Sequence, residues 1–288
     1  MRVLYATDGG AAAKEAGRLI ELLAARDRTE VMAASVVPTG PPELRHLSAA
    51  LQSDDTRRQV AKDAVDEAVA TLRAQDMAVD GVVREGRPTA TLLEIAAEHD
   101  AELIVVGTGV KWFGGRLLGS VSTGLLHTAP TSVMVVHDAP SGTPAQVVAG
   151  VDGSDHATRA LDVATAFLDP GRCTIKVVSA AKLIAPTPMP PYTGYATSAP
   201  SPEIEAEALA PSREHADRAA DLLRERGFTA DVAVMLGHPV KRLLAEVDGA
   251  GAALAVVGSR GLDALDRAML GSVSDQVVRY APATLVGR

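Results

Sequence analysis

Cysteine and aromatic residues are scarce in this sequence. Its single cysteine, Cys173, excludes an intrachain disulfide, and the β-branched residues around it predict an inert thiol buried in a strand. Aromatic residues make up only 3% of the chain, so alanine, valine and leucine must supply most of the core. With 288 residues, the chain is long enough for two domains that each bury an ordinary core.

The sequence also lacks basic runs, and we expect neither a membrane span nor a leader. Its formal net charge is −8, which makes nucleic acid and anionic membranes unsuitable partners. The uncharged stretch Leu117–Val136 is interrupted by glycine, histidine and proline, which argues against a membrane span. Asp8 lies too early to allow the apolar region of a signal peptide. We therefore expect a soluble, cytoplasmic protein.

One pattern occurs twice along the chain. Three pairs of segments correspond: Val3–Gly10 with Val147–Ser154, Glu85–Gly107 with Leu236–Gly258, and Leu117–Pro130 with Met269–Pro282. The offset is 144 residues for the first pair, 151 for the second and 152 for the third. The extra residues of the second copy therefore fall after its second strand and inside a glycine-rich loop, where a shared fold tolerates insertions.

Short apolar runs alternate with helical patterns in each copy. In the first copy the expected strands are Val3–Ala6, Val31–Val37, Val79–Arg84, Leu103–Val106 and Thr131–Val136. This alternation predicts an α/β protein with two tandem doubly wound domains, residues 1–139 and 145–288, each with a five-stranded, parallel-type, open Rossmann-like sheet. Asp138–Gln146 is the expected linker, and proline-rich Ala185–Pro202 is expected to be a surface loop.

A glycine-rich loop follows the fourth strand of the second copy. Its spacing is Gly258-x2-Gly261-x9-Gly271-Ser272, and it joins a strand to a helix. Ligands of open α/β sheets collect at such junctions, where a helix N-terminus offers N–H groups to an anion. Glycines let the backbone approach a phosphate, and Ser274 and Arg260 add a hydroxyl group and a positive charge. The alternative is that the glycines only form turns and Ser272 only caps the helix.

These features resemble the universal stress protein family, in particular its tandem two-domain members of the ATP-binding type. The resemblance covers nearly all of the chain and rests on VDGS at Val151–Ser154, the Gly-x-Pro turns and the VVGSRG…LGS loop. It implies a fold of the adenine nucleotide alpha hydrolase type and binding of ATP, with Mg²⁺ as an accompanying ion. The resulting nucleotide-binding set, to which Arg260 is added for its charge, is Asp152, Ala180, Gly258, Arg260, Gly261, Gly271, Ser272, Val273 and Ser274.

Two members of this set have roles that only the resemblance implies. Asp152 would lie near the ribose and a Mg²⁺ ion, and a backbone group of Ala180 would contact adenine. Asp-Gly is also a common turn sequence, and Ser154 is suited to cap the next helix, so Asp152 has a purely structural alternative.

The first copy departs from the pattern. Its loop, Gly107-x-Gly109-x9-Gly119-Ser120, is one residue shorter, which displaces the chain by about 3.5 Å and should remove some phosphate contacts. Gly119-Ser120 still begins a helix, so nucleotide binding by the first copy is left open. The corresponding candidate residues are Asp8, Val36, Gly107, Gly109, Gly119, Ser120 and Ser122.

Catalytic motifs are absent from the sequence. It contains no Walker loop, no His-Glu-x-x-His pair and no Gly-x-Ser-x-Gly elbow. His156 is expected to be solvated in a first helical turn, and His238 to lie in a turn. We therefore expect a nucleotide-binding stress-response or regulatory protein and not an enzyme, although slow ATP hydrolysis is compatible with binding. The alternatives are a ligand-free structural or interaction module and, less favoured, an enzyme that uses an adenylated intermediate.

Partners follow from the fifth strands, Thr131–Val136 and Ala283–Val286. An edge strand invites pairing. The resemblance implies that these strands pair between domains, so that the two copies form an intrachain pseudo-dimer. Two chains are then candidates to form a homodimer.

Overall fold

The computed structural model describes residues 1–39, 53–108, 110–112, 115–140, 142, 144–181, 202–261 and 270–288, with backbone alone at 110–112, 115 and 116. The strands of the first copy are β1 (Arg2–Ala6), β2 (Glu30–Pro38), β3 (Ala78–Gly86), β4 (Leu103–Gly107), β5 (Val110–Trp112), β6 (Gly115–Leu117) and β7 (Ser132–Val136). Its described helices are α1 (Ala11–Leu23), α2 (Asp54–Arg73), α3 (Pro88–Glu98) and α4 (Ser120–Thr128).

The second copy follows the same order. Its strands are β8 (Ala145–Gly150), β9 (Cys173–Ala181), β10 (Thr229–Leu236), β11 (Leu254–Gly258) and β12 (Ala283–Gly287). Its described helices are α5 (Asp155–Phe167), α6 (Pro202–Glu225), α7 (Pro239–Gly249) and α8 (Ser272–Tyr280). In the first copy β5 and β6 pair within the glycine loop, which the sequence did not predict.

Ten strands form one continuous sheet in the order β10-β9-β8-β11-β12-β7-β4-β1-β2-β3. Neighbouring strands within each copy are parallel. Each half therefore has its strands in the doubly wound order, which confirms the expected α/β class. The strand order reverses at β1 and at β8, and this reversal leaves a crevice beyond the carboxyl end of each of these strands.

Two apolar layers cover the two faces of the sheet. One includes Leu19 of α1 and Phe167 of α5, together with residues of α2 and α6. The other includes Ile95 of α3 and Val277 of α8, together with residues of α4 and α7. Because strand side chains alternate between faces, each strand contributes to both layers. Both layers run through both copies, so the copies share a continuous core on each side of the sheet.

The two copies meet where β7 and β12 pair in the antiparallel direction, which confirms the expected pairing of the fifth strands. His137 Nε2 lies 2.7 Å from the Val278 carbonyl oxygen, and the Arg288 guanidinium donates to the Leu126 carbonyl oxygen. A carbonyl oxygen only accepts, so His137 carries a proton on Nε2. These two residues follow the fifth strands at equivalent positions, and each bonds the last turn of the other copy's helix.

A second set of contacts joins the ends of α1 and α5. The Ala25 N–H donates to the Phe167 carbonyl at 2.8 Å, and the Asp169 N–H donates to the Leu23 carbonyl at 2.9 Å. Arg28 and Arg172, which are 144 residues apart, likewise donate to the Leu168 carbonyl at 2.7 Å and the Glu21 carbonyl at 2.8 Å. The copies are therefore joined by similar contacts in both directions.

Some sequence expectations need correction. Ala145 and Gln146, assigned to the linker, belong to β8 because they pair with β9. Pro202, assigned to the proline-rich loop, is the first residue of α6, where a missing N–H is tolerated; the rest of Ala185–Pro202 lies outside the described residues. Cys173 is buried as expected, and burial raises its pKa to about 12. No helix in the described ranges is long and apolar enough to cross a membrane.

Candidate functional site

The residues singled out in the second copy converge at one place in the fold. Asp152 follows β8, Ala180 lies near the end of β9, and the glycine loop begins at Gly258, the last residue of β11. Because β8 lies between β9 and β11, the three segments meet where the strand order reverses. This is the position at which open α/β sheets bind ligands.

The turn from β8 to α5 is fastened to the glycine loop. Asp152 Oδ1 accepts the Ser154 N–H at 3.0 Å, and Ser154 Oγ accepts the Ala157 N–H at 3.2 Å, which caps α5. The Ser154 hydroxyl also donates to the Arg260 carbonyl at 3.3 Å. Asp152 and Ser154 therefore have structural roles in the turn, and Ser154 also fixes the position of the loop.

The described ends of the glycine loop are closed by hydrogen bonds. The Gly271 N–H donates to the Ser259 carbonyl at 2.8 Å, and the Ser274 hydroxyl donates to the Gly258 carbonyl at 2.6 Å. Gly271 is the N-cap of α8 and provides no side-chain cap. The first intrahelical bond runs from Asp275 to Gly271 at 2.9 Å, so the N–H groups of residues 272–274 have no acceptor within the helix.

The three glycines of this loop differ in what a side chain at their position would contact. A Cβ on Gly258 would lie 2.7 Å from the Ala157 nitrogen, so this glycine is needed for α5 to pack on β11. A Cβ on Gly261 would lie 2.6 Å from Asp152 Oδ2, which shows how closely the loop approaches that carboxylate. A Cβ on Gly271 would lie 3.2 Å from the Ser259 carbonyl oxygen. Packing alone therefore accounts for Gly258.

Ala180 presents backbone groups to the same crevice. The Val151 N–H donates to the Val178 carbonyl at 2.9 Å, so Val178 directs its backbone groups toward the β8 side of β9. Alternate residues of a strand point their backbone groups the same way, so Ala180 does so too. Because β8 ends at Gly150, the N–H and C=O of Ala180 lie beyond its last residue. Val36 occupies the matching position in the first copy, two residues after Ala34, whose carbonyl accepts the Thr7 N–H at 2.9 Å.

Positive charge collects around the start of α5. His156, the second residue of that helix, has its Nδ1 3.1 Å from Ser259 Oγ. Burial lowers the pKa of His156, and Arg260, Arg159 and Arg288 lower it further. Burial also lowers the pKa of Arg288, and Arg260 contributes to this shift.

The sequence of the first copy does not repeat these residues. At the corresponding positions the first copy has Ala12 for His156 and Glu15 for Arg159. Thr108 and Ser259 each follow a strand-ending glycine and donate an N–H to the fifth strand at 2.8 Å, so they are equivalent. Arg260 is therefore the residue that the shorter first loop lacks.

The first copy uses a side chain to close its loop. Thr108 Oγ1 accepts the Gly119 N–H at 2.9 Å and is 3.1 Å from the Ser122 hydroxyl, which donates to it. Gly119 provides no side-chain cap for α4, so Ser120 still begins an uncapped helix. Asp8 Oδ1 accepts the Gly10 N–H at 2.8 Å, as its counterpart does in the second copy.

Gly107 and Gly109 are the remaining candidate residues of the first copy. A Cβ on Gly107 would lie 2.2 Å from the Ala12 carbonyl oxygen, so packing of α1 on β4 explains this glycine as it explains Gly258. Gly109 lies outside the described residues. Asp8, Val36, Gly119, Ser120 and Ser122 thus meet at the reversal beyond β1, in the arrangement found beyond β8.

A cavity of about 220 Å³ lies between α1 and α2 of the first copy. Its wall includes Tyr5, Gly17, Ala64 and Thr71, whose counterparts in the second copy are Ala149, Leu161, His215 and Leu222. Three of the four counterparts have larger side chains. The Tyr5 hydroxyl donates to the Ala13 carbonyl at 2.6 Å, and burial raises the pKa of Tyr5 to about 12.

The histidine expectations have different outcomes. His156 is half-buried and contacts Ser259, so the expectation of a solvated side chain is wrong. The sequence carried one signal for this, namely a histidine where the first copy has Ala12. His238 is the N-cap of α7 and lies in a turn as expected. Within the described ranges, no three histidine, cysteine or acidic side chains are grouped to hold a metal ion.

Comparison with known proteins identifies the family. The model of the Universal stress protein family matches residues 1–137 and 145–286. Universal stress protein Rv2623 of Mycobacterium tuberculosis is 31% identical over 224 residues, which are 75% of this chain and 70% of that protein. Universal stress protein Rv2005c of the same species is 30% identical over 259 residues, covering 87% and 82%. A crystal structure of a universal stress protein from Archaeoglobus fulgidus aligns over 100% of this chain and 98% of that one, with a TM-score of 0.71 and 19% identity. The chain therefore belongs to the universal stress protein family.

Proposed function

We propose that the chain is a cytoplasmic stress-response or regulatory protein that binds ATP mainly through its second copy. The observation that carries the proposal is the start of α8, where Ser272, Val273 and Ser274 have N–H groups without an intrahelical acceptor. This helix start lies at the same reversal of strand order as Asp152. N–H groups without an intrahelical acceptor and the helix dipole together favour a phosphate there.

Each candidate residue then has a chemical role. Backbone groups of Ala180 would hydrogen-bond the adenine edge, and Asp152 would lie toward the ribose. The phosphates would be held by Gly258, Arg260, Gly261, Gly271, Ser272, Val273 and Ser274. Because the Ser274 hydroxyl already donates to the Gly258 carbonyl at 2.6 Å, Ser274 would bind through its N–H group.

Mg²⁺ fits this site only as a companion of the phosphates. Asp152 offers one carboxylate, and one of its oxygens already accepts the Ser154 N–H. Mg²⁺ commonly binds through one or two carboxylates together with substrate phosphates, so Asp152 would hold the ion from the protein side. The ion would reduce the repulsion between the triphosphate and a chain of net charge −8.

We propose weaker nucleotide binding by the first copy. It retains Asp8 and the uncapped start of α4 but lacks Arg260 and the cations around α5. Thr108 also takes part in closing its loop. This closure favours, for the first copy, the second candidate function: a structural or interaction module that acts without nucleotide.

Nucleotide release and thermal stability test the proposal. Denaturation of the purified full chain should release adenine nucleotide, or millimolar Mg-ATP should raise its Tm. A ligand at a hundredfold excess over its Kd adds ~2.7 kcal/mol to stability. If no nucleotide is released and Mg-ATP leaves the Tm unchanged, the chain acts without nucleotide and the proposal is wrong.

Matched variants decide between the copies. Gly261→Glu places a Cβ 2.6 Å from Asp152 Oδ2 and adds negative charge, so it should abolish the Mg-ATP shift, whereas Gly109→Glu should leave most of it. Asp152→Asn and Asp8→Asn form a nearly isosteric second pair in case a glutamate prevents folding. If the shift survives the changes in the second copy but not those in the first, the main site is in the first copy.

The division into units at 1–139 and 145–288 also remains our proposal, as does a homodimer of two chains. The described fifth strands pair with each other within the chain, so a homodimer would use another surface. Light scattering should therefore give twice the chain mass of 29.7 kDa. Specific complexes ordinarily form at concentrations up to about the micromolar range. If light scattering gives the mass of a single chain throughout that range, the homodimer is wrong.

A further inference from the structure

His156 corresponds to Ala12 in the first copy, which therefore has no histidine at this position, and it has no part in the contacts proposed so far. It lies in the first turn of α5, and its Nδ1 is 3.1 Å from Ser259 Oγ. The Ser259 carbonyl accepts the Gly271 N–H at 2.8 Å. The imidazole therefore contacts Ser259, which leads into the glycine loop. Through its carbonyl, Ser259 also contacts Gly271, the N-cap of α8.

The charged groups around the imidazole come from three elements. α5 contributes Asp155 and Arg159, the glycine loop contributes Arg260, and Arg288 follows β12. Burial has the largest effect on the pKa of His156 and lowers it; the three arginines lower it further, while Asp155 alone raises it. The ring is therefore neutral at pH 7 in the free protein. Such a concentration of cations in an acidic chain is suited to an anion.

We propose that His156 is a phosphate-binding residue of the second copy that binds in its protonated form, so that ATP binding takes up a proton. This inference rests on the proposed function. A polyphosphate among these arginines offsets their positive field and favours the imidazolium. In that form Nδ1–H donates to Ser259 Oγ, and Nε2–H is left to donate to a phosphate oxygen.

The sign of the pH dependence follows from linkage. Bound ATP raises the pKa of His156 above its value in the free protein, so the complex holds more protons than its separate parts. Affinity therefore increases as the pH falls through the pKa of the complex. It levels off below the pKa of the free protein, which burial and the arginines hold under the usual value. One linked proton changes the Kd by up to about tenfold per pH unit.

Calorimetry of Mg-ATP binding to the full chain between about pH 5.5 and 8, the range in which histidine titrates, tests this. His156→Gln keeps a hydrogen-bonding side chain beside Ser259 but does not titrate. His238→Gln is the matched control, because His238 lies at the N-cap of α7. The terminal phosphate of ATP titrates in the same range and contributes equally to all three proteins, so the difference in slope is the measured quantity.

We expect His156→Gln to weaken binding about tenfold near pH 6 and by less than about twofold near pH 8. His238→Gln should keep the slope of the unaltered chain. An identical slope in His156→Gln overturns the role of His156 but leaves the proposed ATP site standing. If the unaltered chain does not bind Mg-ATP at any pH, both the role of His156 and the proposed ATP site are wrong.

A second measurement avoids any substitution. NMR titration of the unaltered chain should place the His156 pKa below the ordinary value near 6.5 without ligand and higher with Mg-ATP. If the pKa of His156 does not rise when Mg-ATP binds, the inference is wrong even if a variant proves unstable.

Discussion

The two copies differ in which element carries the large side chain where the first helix packs on the first strand. In the first copy, Tyr5 of β1 extends under α1, and a Cβ on Gly17 would lie only 2.9 Å from the Tyr5 hydroxyl oxygen. In the second copy, Ala149 stands in the strand and Leu161 of α5 is buried at the position of Gly17. The first copy thus pairs a large strand residue with a small helix residue, and the second copy pairs a small strand residue with a large helix residue. Core volume is conserved more closely than residue type, as close packing requires.

The glycine loops differ in a second way. In the first copy Thr108 Oγ1 accepts the Gly119 N–H and the Ser122 hydroxyl. In the second copy the equivalent groups bond to backbone carbonyls, and the side chain of Ser259 contacts His156. The same loop position therefore closes the loop in one copy and links it to a titratable group in the other. The two copies have therefore diverged in how their glycine loops are closed, while the fold around the loops has not.

The largest effect should come from breaking the core exchange. Tyr5→Ala removes a buried ring and widens the existing cavity, so we expect unfolding free energy to fall by about 3–5 kcal/mol. Gly17→Leu alone should also destabilise, because its Cβ would contact the Tyr5 hydroxyl oxygen at 2.9 Å. Chemical denaturation of the full chain measures both changes.

The double variant Tyr5→Ala/Gly17→Leu reproduces the pair found in the second copy. It should recover more than half of the stability lost by the worse single variant, since the leucine fills the space left by the ring. If the two losses simply add, the two copies do not fill one equivalent space, and the exchange is an accident of alignment.

The next effect concerns loop length. Deleting Arg260 gives the second copy the length of the first loop, and we expect ATP affinity to fall by at least about tenfold, because a hydrogen bond to a charged group contributes ~1.5–3 kcal/mol. Arg260→Gln keeps the length and removes only the charge. Isothermal titration measures the affinity of both variants. If both lose the same affinity for ATP, the charge of Arg260 alone, and not the extra residue, distinguishes the copies.

Much of the fold could be predicted from the sequence, because the apolar runs are short, continuous and repeated. Val3–Ala6 and Leu103–Val106 fall within observed strands, and the repeat fixed the equivalence of the two halves. The start of β8 at Ala145 could not be found the same way. Ala145 and Gln146 have no strand pattern of their own and become extended only by pairing with Cys173 and Thr174. Tertiary pairing, and not local propensity, decided that boundary.

The site was predictable at the level of position but not of contact. The glycine spacing and Asp152 pointed to one end of the sheet. Spacing alone did not show that Gly258 is required by the packing of α5, or that His156 contacts Ser259, 103 positions away in sequence. Such contacts depend on helix orientation, which a single sequence does not specify.

A smaller effect should follow from the closure of the first loop. Thr108→Val keeps the shape of this buried side chain but removes the acceptor of the Gly119 N–H. We expect a loss of about 1–3 kcal/mol in thermal or chemical unfolding, as for a buried polar group left without its partner. Thr108→Ser has the hydroxyl found at the equivalent position of the second copy and should lose much less. Equal losses would show that the methyl group, which only Thr108→Ser removes, contributes as much stability as the hydrogen bond, which only Thr108→Val removes.

The smallest effect concerns the helix caps that follow the two aspartates. Ser154 Oγ caps α5, so Ser154→Ala should lower the unfolding free energy by about 0.5–2 kcal/mol. Gly10 stands at the same position before α1 without a side-chain cap, and glycine is only a few tenths of a kcal/mol poorer there than serine. Gly10→Ser should therefore raise stability by no more than about 0.5 kcal/mol, provided Asp8 adjusts to a Cβ 2.9 Å from its Oδ1. Asp152 already accommodates serine in this arrangement. A loss of stability in Gly10→Ser would show that the turn after β1 differs from the turn after β8, although each aspartate accepts the same backbone hydrogen bond.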